Sequence, residues 1–108
     1  MKARIQNAIG NNLMKKMQEM QEKLAVAQQE VEETEFTASA GGGAVSVTLK
    51  GNHQVTAINI SPEVIDPEEV EMLQDLLIAA FNEATLKAEE AMGAAVESAK
   101  GGMAIPGM

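Results

Sequence analysis

Residues 66–99 read DPEEVEMLQDLLIAAFNEATLKAEEAMGAAVESA, and their spacing decides the fold. Asp66 stands where an N-cap belongs, Pro67 at the first helical position and Glu69 three residues after the cap. Behind that start run two apolar stripes at helical spacing. One is Val70, Leu73, Leu77, Ala80, Ala84, Ala88 and Ala91; the other is Met72, Leu76, Ala79 and Leu86. A helix on the surface of a lone chain needs one apolar stripe, whereas one that is apolar on two sides is covered twice. The rest of the chain supplies one cover. A second copy is therefore expected to supply the other, with Met72, Leu76, Ala79, Ala80 and Leu86 at the dimer interface.

Upstream, Ala44–Lys50 alternates, with Val45, Val47 and Leu49 on one face and Ser46, Thr48 and Lys50 on the other. Gly51-Asn52 reads as a two-residue hairpin turn. In His53–Ile60 the apolar positions Val55, Ile58 and Ile60 slip by one, which predicts a β-bulge near Thr56-Ala57. Glu32–Ala40 reads as a further strand with Phe36 and Ala38 on one face, and Gly41-Gly42-Gly43 as the turn after it. One polar face per strand implies an antiparallel sheet open to water on one side. Leu13, Met17, Met20, Leu24, Ala27 and Val31 fall at alternating spacings of four and three, a narrow helical seam.

The expected fold class is α+β: α-β-β-β-α, with a three-stranded antiparallel meander in the order 1-2-3 packed on helices. The organisation is a flexible or partly helical arm over 1–11, one domain over 12–100 and a disordered tail over 101–108. Within the domain the elements are a helix at 12–31, strands at 32–40, 44–50 and 53–60, and a helix at 67–100.

The 108 residues include no Cys, Trp or Tyr, two Phe and eight Met. There is no thiolate chemistry to use, and no aromatic platform on which single-stranded bases could stack. His53 is the lone histidine, and no nucleophile, base and acid fall into a catalytic pattern. No enzyme activity, metal, cofactor or small-molecule substrate is expected. Neither a membrane span nor a secretory signal is legible, so a cytoplasmic protein is expected.

Net charge is −8, but it is unevenly placed. Residues 1–24 hold five basic groups against two acidic ones, and the remainder three against fourteen. Such asymmetry marks a candidate interaction surface on the first helix.

LMKKMQEMQEKLAVAQQEV, AGGGAVSVTLKGNHQV, INISPEVIDPEEVEMLQDLLIAAFNEA and GGMAIPGM, in that order, resemble the YbaB/EbfC family of bacterial nucleoid-associated proteins. The resemblance covers residues 12–108. It implies a homodimer built as a β/α/β three-layer sandwich with projecting helical arms, located in the nucleoid. Such a dimer grips the backbone of double-stranded DNA with little sequence specificity and influences nucleoid organisation and gene expression. The positions matching the family's phosphate-contacting basic residues are Lys15 and Lys16, with Lys23 and Lys87; Lys2, Arg4 and Lys100 are secondary contributors. The alternative is a protein-binding chaperone or adaptor with prefoldin-like helical arms and no direct DNA binding.

Overall fold

A computed structural model describes residues 2–100 of the chain, and the side chains of residues 10–100. A long helix α1 (Lys2–Glu33) leads into strands β1 (Glu35–Ala40), β2 (Val45–Lys50) and β3 (Val55–Ile60). Two 3-10 turns, Pro62–Val64 and Pro67–Glu69, then open into helix α2 (Val70–Ala99). The strands form one antiparallel sheet in the order β1-β2-β3. The molecule is elongated, 82 × 29 × 16 Å.

The boundary at Asp66 follows its chemistry. The Asp66 carboxylate accepts from the Glu68 N–H at 3.0 Å, so the first turn is capped, and Pro67 opens it as a 3-10 turn that continues as α2. The alanine stripe explains how closely that helix lies on the sheet. Ala80, Ala84 and Ala88, four residues apart, are buried with no more than 1% of their surface exposed. With only methyl groups between backbone and sheet, α2 settles onto Ala38 and Leu49 at one end and Val45 and Val47 at the other.

β2 is the central strand and alternates between buried Val45, Val47 and Leu49 and the polar outer face. Between β2 and β3 the pairing passes from Thr48 opposite Ala57 to Leu49 opposite Val55, so Thr56 is the extra residue of a bulge at the expected place. α2 packs chiefly across β1 and β2. Much of the inner face of β3 is consequently left bare, with Ile58 52% and Val55 39% exposed, while Ile60 is half-buried beside Val45 and Val47.

Three local readings differ from expectation. α1 runs unbroken through Gly10-Asn11-Asn12 to begin at Lys2, where a start near Asn12 and a partly helical arm were expected. Gly and Asn each cost a helix interior about 1 kcal/mol or less, and a ladder already nucleated on both sides absorbs that. At the other end Glu32 and Glu33 continue the helix, so β1 starts at Glu35 rather than at 32.

The β2–β3 hairpin has a longer loop than the two residues Gly51-Asn52. The His53 N–H donates to the Lys50 carbonyl at 2.7 Å, and the Lys50 N–H to the Gln54 carbonyl at 2.9 Å. His53 itself sits at φ 71°. That is the three-residue loop, a turn followed by one left-handed residue. The Asn52 side chain accepts from the Gln54 N–H and favours this form. The three glycines after β1 all adopt positive φ, between 66° and 93°, a turn that only glycine makes without strain.

Residues 101–108, expected to be a disordered tail, lie outside the described residues.

Candidate nucleic-acid interface

The two helices meet through the seam of α1. Its Met17, Met20 and Leu24 line a groove with Ala99 and Lys100 at the end of α2, and one to two turns further on Ala27 and Val31 face Ala95 and Ala99. Since α2 ends beside Met17 and Met20, the part of α1 before them runs on past it. Leu13 and Met14 are 59% and 61% exposed there.

Lys15, Lys16 and Lys23 are all exposed on this helix. Lys16 and Lys23 are seven residues apart, hence on one side and about 10 Å apart along the axis, while Lys15 is turned by about 100°. Lys23 borders the cleft that contains Ala95, Ser98 and Ala99, and Lys100 borders the groove with Met20 and Leu24. Lys23 and Lys100 thus border two separate hollows that share Ala99, with Lys15 and Lys16 about two turns further along α1 from Lys23. Glu19 and Glu22 are interleaved among them, so the basic face is diluted by two carboxylates. The side chains of Lys2 and Arg4 lie outside those described.

Lys87 is placed elsewhere. Its ammonium donates to the Thr37 carbonyl at 2.8 Å, which ties it to β1 and keeps it apart from the lysines of α1. Lys50 turns its backbone groups to β3, so by alternation Thr48 does too, and its partner Thr37 presents its carbonyl on the free edge of the sheet. The Thr37 and Thr48 hydroxyls meet at 2.8 Å, as such a close pair allows. A charge from α2 set against the free edge of β1 guards that edge against pairing with another sheet.

Of the apolar residues expected to meet a second copy, Met72, Ala79 and Leu86 are exposed on one flank of α2. Ala80 is not available: it has no exposed surface and is packed on Val45 and Val47. Leu76 is half-buried against the same cluster, and its methyl groups would be 3.0 Å from a Cβ at Gly41. Ala80 follows its own stripe, with Leu73, Leu77, Ala84 and Ala88, onto the sheet, and Leu76, a member of the other stripe, leans toward the sheet as well. On the opposite flank, a groove of 330 Å³ runs between α2 and the bare face of β3, lined by Val47, Ile58, Leu77, Ile78, Phe81 and Asn82. Ile78 and Phe81, 57% and 41% exposed, belong to neither stripe and were missed. A purely helical count cannot find them, since what singles them out is the uncovered strand beside them.

His53 is an exposed turn residue, and among the described residues no group of three His, Cys, Asp or Glu is placed to hold a metal ion. No helix among them is long and apolar enough to cross a membrane.

Comparison with known proteins points one way. The YbaB/EbfC DNA-binding family matches residues 7–103. A nucleoid-associated protein of Clostridium acetobutylicum is 50% identical over 98 residues, covering 91% of this chain and 88% of the relative. Another, of Alkaliphilus metalliredigens, is 51% identical over 98 residues, covering 91% and 86%. Among solved structures, that of an uncharacterized protein from Helicobacter pylori is similar with a TM-score of 0.57 and 26% identity, over 68% of this chain and 86% of that one.

Proposed function

This chain belongs to the YbaB/EbfC DNA-binding family, and on that footing we propose that it is a nucleoid-associated homodimer that holds duplex DNA by its phosphates. Dimerisation uses the exposed apolar surface of α2, with Ile78 and Phe81 beside β3 on one flank and Met72, Ala79 and Leu86 on the other. Pairing there gives the molecule two α1 arms, each carrying Lys15, Lys16 and Lys23, with Lys100 at the base and Lys2 and Arg4 as further contributors.

The observation that carries this reading is an exposed lysine set on a helix that continues past its packing partner. A protein of net charge −8 does not attract DNA as a whole. Attraction has to be local, and the arm is the one region where basic groups outnumber acidic ones. Phosphate contacts fix position without reading bases, so sequence preference is weak.

The test is binding of a random-sequence duplex across a salt series. With about six phosphates neutralised by two arms, log K falls against log salt with a slope near −5. Lys15→Glu with Lys16→Glu removes binding at low salt. Affinity that survives this double reversal would reject the arm as the DNA-holding element.

A further inference from the structure

The seam of α1 is longer than the helix it packs against. Met20, Leu24, Ala27 and Val31 are used on α2, which ends at Ala99. Leu13 and Met14 continue the apolar surface beyond that end, with Met17 at its edge, and all three are 56% exposed or more. Apolar side chains grouped on a projecting helix mark a place where another surface docks. Among the described residues nothing in the chain covers them.

Charge indicates the occupant. The arm is basic, so a second arm is repelled. At the far end of the long molecule, around the start of α2, Ile65 and Val70 are 59% and 48% exposed. There Glu68, Glu69, Glu71 and Asp75 surround the apolar surface, and no lysine or arginine occurs between Lys50 and Lys87. The two ends are complements in both respects, apolar to apolar and basic to acidic. They lie at opposite ends of the fold, because the 30 residues of α2, about 45 Å in length, separate its start from the groove beside Lys100. One copy cannot bring them together.

We propose that the free part of the α1 seam docks on the acidic start of α2 of another copy, joining molecules head to tail. Such a contact is heterologous and leaves a free end on each molecule, so it propagates. Lys15 and Lys16 face carboxylates in this contact and phosphates in the DNA complex, so duplex DNA and a neighbouring copy compete for the same arm. The inference goes beyond the DNA-binding reading and is measured without DNA.

The experiment is light scattering of the full chain at about 50 mM and about 500 mM salt, where screening lengths differ several-fold. At low salt the average mass exceeds that of the base assembly and rises with concentration; at high salt it falls back. Glu69→Lys with Glu71→Lys abolishes the rise. Combining them with Lys15→Glu and Lys16→Glu restores it by exchanging the two charges. A mass that is the same at both salts, or a rise indifferent to these reversals, overturns the proposal. So does a rise that appears only when residues 101–108 are removed, because that segment would then be what covers the seam. A high-salt mass of one chain rejects the α2 dimer without touching the head-to-tail contact. Association that a short duplex fails to displace rejects shared use of the arm by DNA.

Discussion

Gly51 lies against the carbonyl of Val31. A side chain at Gly51 would put its Cβ inside the Val31 oxygen and 2.6 Å from the carbonyl carbon. The Gly51 N–H donates to the neighbouring Thr34 carbonyl at 3.0 Å, and Thr34 in turn closes the end of α1 through its hydroxyl and the Glu30 carbonyl. The β2–β3 turn is therefore seated on the last turn of α1. Together with the seam on α2, this seat determines where the arm points.

Gly51→Ala is expected to lower stability by about 1–3 kcal/mol, the usual cost of forcing atoms into a packed site. The contact is with backbone, which cannot rotate away. Urea denaturation measures the loss. Because the arm's base is displaced, DNA affinity falls as well, even where the protein remains folded. A variant as stable as the parent would mean that α1 is not seated on this turn.

His53→Gly works in the opposite direction. A left-handed residue other than glycine costs about 1–2 kcal/mol, and His53 is the one non-glycine residue at positive φ among those described. After the greater freedom that glycine has in the unfolded chain is subtracted, a net gain of about 0.5–1 kcal/mol is expected. The thermal midpoint rises by several degrees if so, and DNA binding is unchanged because the turn is remote from Lys15 and Lys16.

Lys87→Met keeps the aliphatic stem and removes the donor to Thr37. At an exposed site the stability change is expected to stay below about 1 kcal/mol. The free edge of β1 loses its guard, so aggregation on heating increases. The salt slope of DNA binding remains that of the parent, whereas Lys15→Ala and Lys16→Ala each flatten it. A flatter slope for Lys87→Met would return this residue to the DNA contacts.

Phe81→Asp and Ile78→Asp each leave the single-chain fold intact, because both side chains already face solvent within it. Burying such a side chain contributes about 1.5–3 kcal/mol, and a carboxylate in its place adds a desolvation cost. Dimer affinity is therefore expected to weaken by a hundredfold or more, read by sedimentation equilibrium. Ala80→Ser, by contrast, perturbs folding, since that site is enclosed by Val45 and Val47. If Phe81→Asp remains dimeric, the groove beside β3 is not the interface.

The chain's local chemistry carried much of this architecture. Alternation in Val45–Lys50, the slip between Val55 and Ile58, and the Asp66-Pro67 cap each act over a few residues. Periodicity and capping therefore reveal them directly. The sheet order followed, because turns as short as these leave no other path for three successive strands. The extra turns at the start of α1 were less legible, since Gly10-Asn11-Asn12 is a weak penalty rather than a stop, and its outcome depends on cooperativity along the whole helix.

What lay beyond the sequence was which side of each element faces which neighbour. Two apolar stripes on α2 suggest more than one cover for the helix, but not that Leu76 turns toward the sheet while Ile78 and Phe81 stay exposed. Five basic residues near the start of the chain suggested a contact surface, but not that Lys87 is bound to Thr37 whereas Lys100 comes to lie against α1 beside Met20 and Leu24. Spacing along one chain reports the period of an element. The angle at which that element lies on another is set by close packing between residues far apart in sequence, here by the alanine methyl groups that bring α2 down onto β1 and β2 and leave much of β3 bare.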